Sequence, residues 1–269
     1  MWPKIGPVPF YGILYFTGIA VHFIIGRHYA RRFGLKRRVW IVLGICYWVG
    51  MVPGAKFLYH WKHVGLNPMV IFNRQAYLQG GLWGGLLVYL PLAVLAMWLL
   101  AHKRRHALDL IALTVPIPWS LAKIGCLMHG CCYGRPTSVP WAITFPAASR
   151  IAPAGVPVHP CQLYEVLIMM ILMFLLRKFN HERWRGLLLL WFLCIYGLGR
   201  VITDTYRGDT DGYVVYVVGS ITVTHLICLI AAMGSLAVLL VHWAYLKPMS
   251  KGLEADDEVQ QSTNWRERC

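Results

Sequence analysis

The sequence predicts an all-α membrane protein, a polytopic bundle of about seven transmembrane helices. Its composition and hydropathy support this class. Of the 269 residues, 58% are hydrophobic and only 14% are charged, whereas a soluble domain is about 45–50% apolar and about 25% charged. The mean hydropathy is +0.53. Such a chain has too few charged groups to stay dispersed in water, and it is too apolar to be disordered.

Seven apolar stretches can serve as spans, since roughly 20 apolar residues cross the hydrocarbon core of a bilayer. In chain order they occupy residues 8–26, 39–58, 76–100, 108–127, 161–176, 187–206 and 218–246. The second contains Pro53 and Gly54, and the fourth contains Pro116 and Pro118. Membrane helices tolerate such residues where neighbouring groups satisfy the freed backbone. We therefore expect one seven-span domain over 1–246 and a polar tail over 247–269.

The basic residues predict the orientation of the bundle. A net charge of +15 could indicate a nucleic-acid partner, but Lys and Arg also mark the cytoplasmic loops of membrane proteins. Of the 26 Lys and Arg residues, 17 lie on one side of the spans, in loops 27–38, 101–108 and 177–186 and in the tail, and only six lie on the other. We therefore expect an N-terminus outside, a C-terminus in the cytoplasm and no nucleic-acid partner.

Lys123 lies near the outer end of the fourth span, where an ionisable side chain is costly. It either snorkels to the membrane surface or lines an anion site that faces the bundle interior. Glu165 lies early in the fifth span and needs a partner there. Lys123 and Arg200 are the candidates.

The sixth span carries a stripe of polar side chains in the segment YGLGRVITDTYR. Tyr196, Arg200, Asp204 and Arg207 are spaced four, four and three residues apart, which places them on one face of a helix. The stripe is either a structural Arg200–Asp204 pair that bridges helices or a phosphate site. A second arginine favours phosphate, because guanidinium groups form bidentate bonds to its oxygens.

Two further motifs leave alternatives open. The segment QGGLWGG at 79–85 indicates either close helix packing through small residues or a bare backbone that a lipid headgroup approaches. Near the outer end of the bundle, metal-binding residue types cluster at Cys126, His129, Cys131, Cys132, His159 and Cys161. Their spacing is not a strong zinc pattern, and adjacent cysteines do not easily bind one ion. We therefore expect no metal, and either free thiols or a disulfide to Cys161.

Five motifs in this order resemble the prolipoprotein diacylglyceryl transferase family. They are FYGILYFTG, QGGLWGG, AKIGCLMHGCCYGRPTSVPW, HPCQLYE and YGLGRVITDTYR. The resemblance implies a multi-pass enzyme of the bacterial inner membrane that needs no cofactor. Its partners would be phosphatidylglycerol and the signal peptides of prolipoproteins. Such an enzyme moves the diacylglyceryl group of the lipid to a lipobox cysteine, which forms a thioether and releases glycerol phosphate.

The resemblance also implies roles for individual residues. Tyr11 would be the tyrosine of the family's first span, Gly134 the glycine of its signature loop, and Arg200 its sixth-span arginine. The expected catalytic residues are Arg200, Tyr11, His129 and Asp204. The residues expected to bind phosphatidylglycerol are Lys123, Arg200, Arg207, Gly80, Gly81, Gly134, Gln79, Tyr196 and Glu165.

The chain departs from the family pattern at five positions, and at one of them Asp204 stands where a glutamate is usual. Gln79 stands where a histidine is usual, and Lys123 where an arginine is usual. Cys126 replaces an asparagine and Cys131 an acidic residue. Without a histidine at 79, His129 and His159 are the nearest substitutes for a thiol-activating base. These losses keep two alternatives open, a related transferase with a different lipid donor or acceptor and a non-catalytic lipid-binding homologue.

Overall fold

The fold is described from a computed structural model, for residues 4–5, 8–51, 53–54, 57, 82–147, 151–180, 184–209, 216–218 and 221–266. Gln79, Gly80 and Gly81 lie outside these residues, so their predicted role in lipid binding stays a prediction. The same holds for the side chain of Tyr11. Its backbone belongs to the first helix.

The described residues are mostly helical, as predicted. The helices are α1 (Phe10–Arg32), α2 (Arg37–Cys46, continued by a π-helical turn at Tyr47–Met51), α3 (Leu82–Leu100), α4 (Arg104–Thr114), α5 (Pro116–His129), α6 (Cys161–Phe179), α7 (Leu188–Thr205) and α8 (Val223–Arg266). The strands are short and form three antiparallel pairs, β1 (Lys4–Ile5) with β2 (Val8–Pro9), β3 (Ile143–Thr144) with β4 (Pro157–Val158), and β5 (Tyr216–Val218) with β6 (Ile221–Thr222).

Each predicted apolar stretch overlaps a helix, with two differences at the boundaries. The fourth stretch is divided between α4 and α5, because Pro116 begins a new helix where its missing N–H costs nothing. The seventh stretch opens with strand residues, and α8 begins only at Val223. That helix continues past residue 246 to Arg266, so the division of the chain at 246 stays a prediction.

The helices have the surface of a membrane protein. Three helical segments of the described chain are long and apolar enough to cross a bilayer, namely Arg104–His129, Leu188–Thr205 and Thr224–Tyr245. Large apolar side chains also face outwards, among them Leu87 (66% exposed), Trp98 (61%) and Ile230 (72%). Exposed apolar patches of this kind mark contact with a membrane or a partner. The count of seven spans and the N-outside orientation stay predictions.

Small residues bring α7 very close to its two neighbours. A Cβ atom on Gly197 would lie 2.7 Å from the carbonyl oxygen of Cys228 in α8. A Cβ atom on Gly199 would lie 2.9 Å from Cδ1 of Ile168 in α6. Small residues allow such close backbone approach in membrane helix bundles. Both glycines precede Arg200, so they determine how near its backbone lies to α6 and α8.

A buried carboxylate defines where α7 begins. The residue that precedes the helix is Leu187, whose side chain cannot cap it. Asp109 of α4 is fully buried and accepts the N–H of Leu188 at 2.8 Å and that of Gly186. A carboxylate at a helix N-terminus satisfies amide groups that have no partner inside the helix. Asp109 thereby ties the start of α7 to α4.

We expect Gly197→Ala to lower the free energy of unfolding by about 1–3 kcal/mol, because the added methyl group overpacks the contact between α7 and α8. The measurement is an SDS titration in mixed micelles. Gly234→Ala is the matched control, since nothing lies within 4 Å of a Cβ atom at that exposed helical position. It should raise the free energy by about 0.5–1 kcal/mol through helix propensity. Equal effects of the two changes would contradict the proposed close contact.

Candidate functional site

Lys123, Glu165 and Arg200 meet inside the bundle, each from a different helix. The Nζ atom of Lys123 in α5 lies 2.7 Å from Oε1 of Glu165 in α6. The same oxygen pairs with Nη1 of Arg200 in α7. The side chain of Glu165 is only 1% exposed, and those of Lys123 and Arg200 are 10% and 13% exposed. One buried carboxylate therefore joins three helices.

The surroundings of Glu165 satisfy both of its oxygens. Oε1 receives the two cations, and Oε2 accepts the indole N–H of Trp119 at 3.2 Å. A buried charge is stable only when its partners replace the lost water. The contacts answer two questions that the sequence left open. Lys123 points into the bundle rather than to the membrane surface, and both candidate cations pair with Glu165.

The network continues along α7 towards the loop that follows it. Arg200 pairs with Asp204 through Nη2 and Oδ1 at 2.8 Å and through Nε and Oδ2 at 3.2 Å. The Oδ1 atom of Asp204 also lies 3.8 Å from Nη1 of Arg207. Arg207 in turn forms a bidentate pair with Asp209, at 2.9 and 3.0 Å. Three cations and three carboxylates thus alternate, and their formal charges cancel.

Arg207 corrects the prediction of a single helical stripe. The helix α7 ends at Thr205, so Arg207 is not on its face. It instead forms an antiparallel bridge with Gly134, and this pairing draws the chain out of the helix. Arg207 nevertheless contacts Asp204, because the helix ends only two residues before Arg207.

Gly134 is a packing position, and nothing larger than hydrogen fits there. A Cβ atom on it would lie 2.4 Å from Cβ of His159 and 2.9 Å from Sγ of Cys161. Its N–H donates to the carbonyl of His159 at 2.9 Å, and on its other side it pairs with Arg207. The glycine therefore lets the loop after α5 lie between the start of α6 and the segment that carries Arg207.

The remaining predicted residues lie at different distances from this network. Tyr196 packs edge to face against Trp119, with ring centroids 5.7 Å apart, so it lies beside Lys123 and Glu165. His129 ends α5, about 9 Å along the helix axis from Lys123. His159 hydrogen-bonds through Nδ1 to the hydroxyl of Tyr164 at 3.0 Å. It lies at the start of α6, beside Gly134.

The outer cysteines are free thiols in the structure, so the predicted alternative of a disulfide to Cys161 is not found there. Adjacent cysteines were not expected to bind one ion easily, and the expectation of no metal stays a prediction. The sulfur atoms of Cys126, Cys131 and Cys132 all lie within 4.8 Å of one another. Hydrogen bonds from the other two thiols hold the pKa of the Cys132 thiol well below its usual value, and the charge of Lys123 acts in the same direction.

Sequence reasoning missed two members of the network. Trp119 lies one helical turn before Lys123, and this spacing could have placed its indole on the same face of α5. Asp209 follows Arg207 by two residues, outside any helix, so no periodicity pointed to it. Trp119 satisfies the second oxygen of Glu165, and Asp209 completes the pairing of charges at Arg207.

Comparison with known proteins gives one consistent result. Residues 3–241 match the profile of the family described as prolipoprotein diacylglyceryl transferase. The phosphatidylglycerol–prolipoprotein diacylglyceryl transferase of Clostridium tetani is 28% identical, over 76% of this chain and 82% of its own length. The enzyme of the same name from Actinobacillus pleuropneumoniae is 29% identical, over 90% and 92%. That of a Shewanella species is 30% identical, over 73% and 74%.

We expect Glu165→Gln to lower the free energy of unfolding by about 3–5 kcal/mol, because it leaves the charges of Lys123 and Arg200 buried without their shared partner. Lys123→Met should cost less in the Glu165→Gln background than in the original chain. A double-mutant cycle of the two changes measures this coupling. Additive effects would show that the 2.7 Å contact contributes nothing to stability.

Proposed function

The chain belongs to the prolipoprotein diacylglyceryl transferase family, and we propose that it transfers the diacylglyceryl group of phosphatidylglycerol to the lipobox cysteine of prolipoproteins. In this reaction a bond forms between the cysteine sulfur and a glyceryl carbon. The bond between that carbon and a phosphate oxygen breaks. Glycerol phosphate leaves, and the thiol gives up its proton.

The observation that carries the proposal is the buried cluster of Lys123, Arg200 and Arg207. A phosphodiester is anionic, and more negative charge develops on it as the glyceryl bond breaks. Cations that are already positioned in a site with little water stabilise such charge without reorganising. Guanidinium groups bind phosphate oxygens in pairs. The site thus offers the charge and the hydrogen-bond donors that the reaction needs.

In this proposal the phosphate of the lipid headgroup binds first to the guanidinium group of Arg207. Its side chain is 19% exposed, against 13% for Arg200 and 10% for Lys123. Asp209 occupies its bidentate donors at 2.9 and 3.0 Å, which is the geometry that two phosphate oxygens would adopt. Because the charges of the network cancel, an incoming phosphate must replace a carboxylate. Asp209, at the exposed end, is the one that can leave.

The acceptor thiol needs help to ionise, since its usual pKa is about 8.5. Nearby cations lower the pKa of a thiol, so the network that binds phosphate also favours the thiolate. Asp204 and His129 are the proposed proton acceptors. Tyr11 and Tyr196 are proposed to orient the reacting groups, and Gln79, Gly80, Gly81 and Gly134 to form the backbone surface against which the headgroup lies.

The proposed setting is the bacterial inner membrane. Seven spans with the N-terminus outside would place the loop after α5 and the end of α7 at the outer leaflet. Phosphatidylglycerol and the signal peptides of exported prolipoproteins meet there. The excess of Lys and Arg in three loops and the tail supports this orientation.

We expect Arg200→Ala to lower kcat/KM for diacylglyceryl transfer by about 100-fold or more, the usual effect of removing one charge-stabilising donor. The assay follows the mass gain of a lipobox peptide in micelles that contain phosphatidylglycerol. Arg177→Ala, at an exposed position in the last turn of α6, is the control and should retain full activity.

Arg200→Lys separates binding geometry from folding. It keeps the charge beside Glu165 but loses the bidentate fork, so it should be folded and still slow. Full activity in either Arg200 variant would remove this residue from the phosphate site. If the original chain binds phosphatidylglycerol but transfers nothing to any acceptor, the protein is a non-catalytic lipid-binding homologue and the proposed reaction is wrong.

We expect Asp209→Asn to lower KM for phosphatidylglycerol about 3- to 10-fold. The reason is that the amide no longer opposes the phosphate charge. The carboxylate of Asp209 competes with the lipid phosphate for Arg207, and its ion pair contributes roughly 1 kcal/mol. Initial rates at varied phosphatidylglycerol concentration give KM. Zwitterionic phosphatidylcholine makes up the rest of the lipid in each sample. A higher KM would show instead that Asp209 holds Arg207 in place for the lipid.

A further inference from the structure

Three thiols lie together at the end of α5, beside the charged network but outside it. The sulfur atoms of Cys126, Cys131 and Cys132 are within 4.8 Å of one another. All three side chains are half-buried, and none is in a disulfide. Diacylglyceryl transfer, as proposed above, gives these thiols no task.

The local backbone brings the three sulfurs together. The helix α5 ends at His129, and Gly130, which caps it, has the left-handed conformation (φ 80°). The N–H groups of Gly130 and Cys131 both donate to the carbonyl of Cys126, at 2.9 and 3.1 Å, so the chain turns back over the last helical turn. Cys132 follows with φ 60°, which is rare for a residue with a side chain. The backbone conformation thus turns the three side chains towards one another.

The spacing of the sulfurs is compatible with a bound metal ion. Zinc–sulfur bonds of about 2.3 Å place the sulfurs of a tetrahedral or trigonal site about 3.8–4.0 Å apart. Three sulfurs that already lie within 4.8 Å need only side-chain adjustments to reach that separation. The ligand set is entirely sulfur, which selects thiophilic ions and rejects hard cations such as Mg²⁺ and Ca²⁺.

A second observation at the same place is a polar atom without a partner. Gln162 is fully buried, and its Nε2 donates to the carbonyl of Cys131 at 2.7 Å. Its Oε1 is buried and has no hydrogen-bond partner among the described residues. Such an atom is costly to bury alone. The contact of its amide nitrogen with Cys131 places this side chain against the cysteine loop, and its unpaired oxygen suits a water molecule that completes a four-coordinate shell.

We propose that Cys126, Cys131 and Cys132 form a three-thiolate site for a thiophilic d¹⁰ ion of the Zn²⁺ type, with water as the fourth ligand and Gln162 as its acceptor. The ion binds three thiolates, so binding releases the protons that the thiols still carry. The complex with Zn²⁺ carries one net negative charge, and Lys123 lies one helical turn before Cys126. The bound ion would fix the loop that carries Gly134 against Arg207.

The test uses the full-length protein in detergent, reduced, freed of metal and then titrated with Cd²⁺ and separately with Zn²⁺. Sulfur-to-cadmium charge-transfer absorption follows the first titration, and competition with a chromogenic chelator follows the second. We expect one equivalent of either ion. Replacing Cys126, Cys131 or Cys132 by Ser should weaken binding by at least about 100-fold, since each change removes a direct ligand. Cys194→Ser and Cys228→Ser are the controls, because these thiols lie in α7 and α8 outside the cluster.

A melting curve of each variant without metal checks that it is folded, and Zn²⁺ should raise the melting temperature of the original chain and the controls only. The proposal is wrong if the reduced original protein binds no more metal than the cluster variants. It is also wrong if the controls lose binding equally. A tight response to Cu⁺ without one to Zn²⁺ or Cd²⁺ would overturn the four-coordinate site in favour of a trigonal one. None of these outcomes depends on transferase activity.

Discussion

The carboxylate of Glu165 is the group on which the arrangement of α5, α6 and α7 depends. It is almost fully buried and pairs with cations from two other helices. Removing any of these charges from water costs several kcal/mol, and the attraction between them offsets this cost only when the geometry is good. The three helices must therefore keep their relative positions for the charges to remain stable in an apolar surrounding. Trp119 completes the site, because it satisfies the second oxygen of Glu165.

Close helix approach is the second requirement, and it follows from the first. A cation of limited reach pairs with a buried carboxylate only if the helix backbones are near each other. Gly197 and Gly199 remove the side chains that would separate α7 from α8 and α6. Gly134 does the same for the loop after α5. Asp109 sets the start of α7 at the opposite end. Small residues and a few fixed carboxylates therefore position the charged groups.

The sequence predicts the helical membrane class because hydropathy is averaged over whole segments. An error of a few residues at a helix boundary does not change that average. It predicts the partners of Glu165 because few cations occur in the spans. It does not predict that Arg207 leaves the helix, since this depends on pairing with Gly134, more than 70 residues earlier. Nor does it predict the thiol cluster. The left-handed backbone of Cys132 is a local conformation that residue type disfavours, so the spacing of the cysteines does not predict that their sulfur atoms lie together.

The balance of charge links stability to binding. The network of three cations and three carboxylates is neutral, which makes it stable inside an apolar bundle without a ligand. A phosphodiester brings one more negative charge, so its binding requires that one carboxylate separate from its cation. Glu165 cannot do so cheaply, because its side chain is 1% exposed. The side chain of Asp209 is 18% exposed, and within the described part of the chain its ion pair is with Arg207, the outermost arginine of the network. The difference in burial between Glu165 and Asp209 thus divides the network into an inner part that holds the helices and an outer part where, in the proposed function, a phosphate replaces a carboxylate.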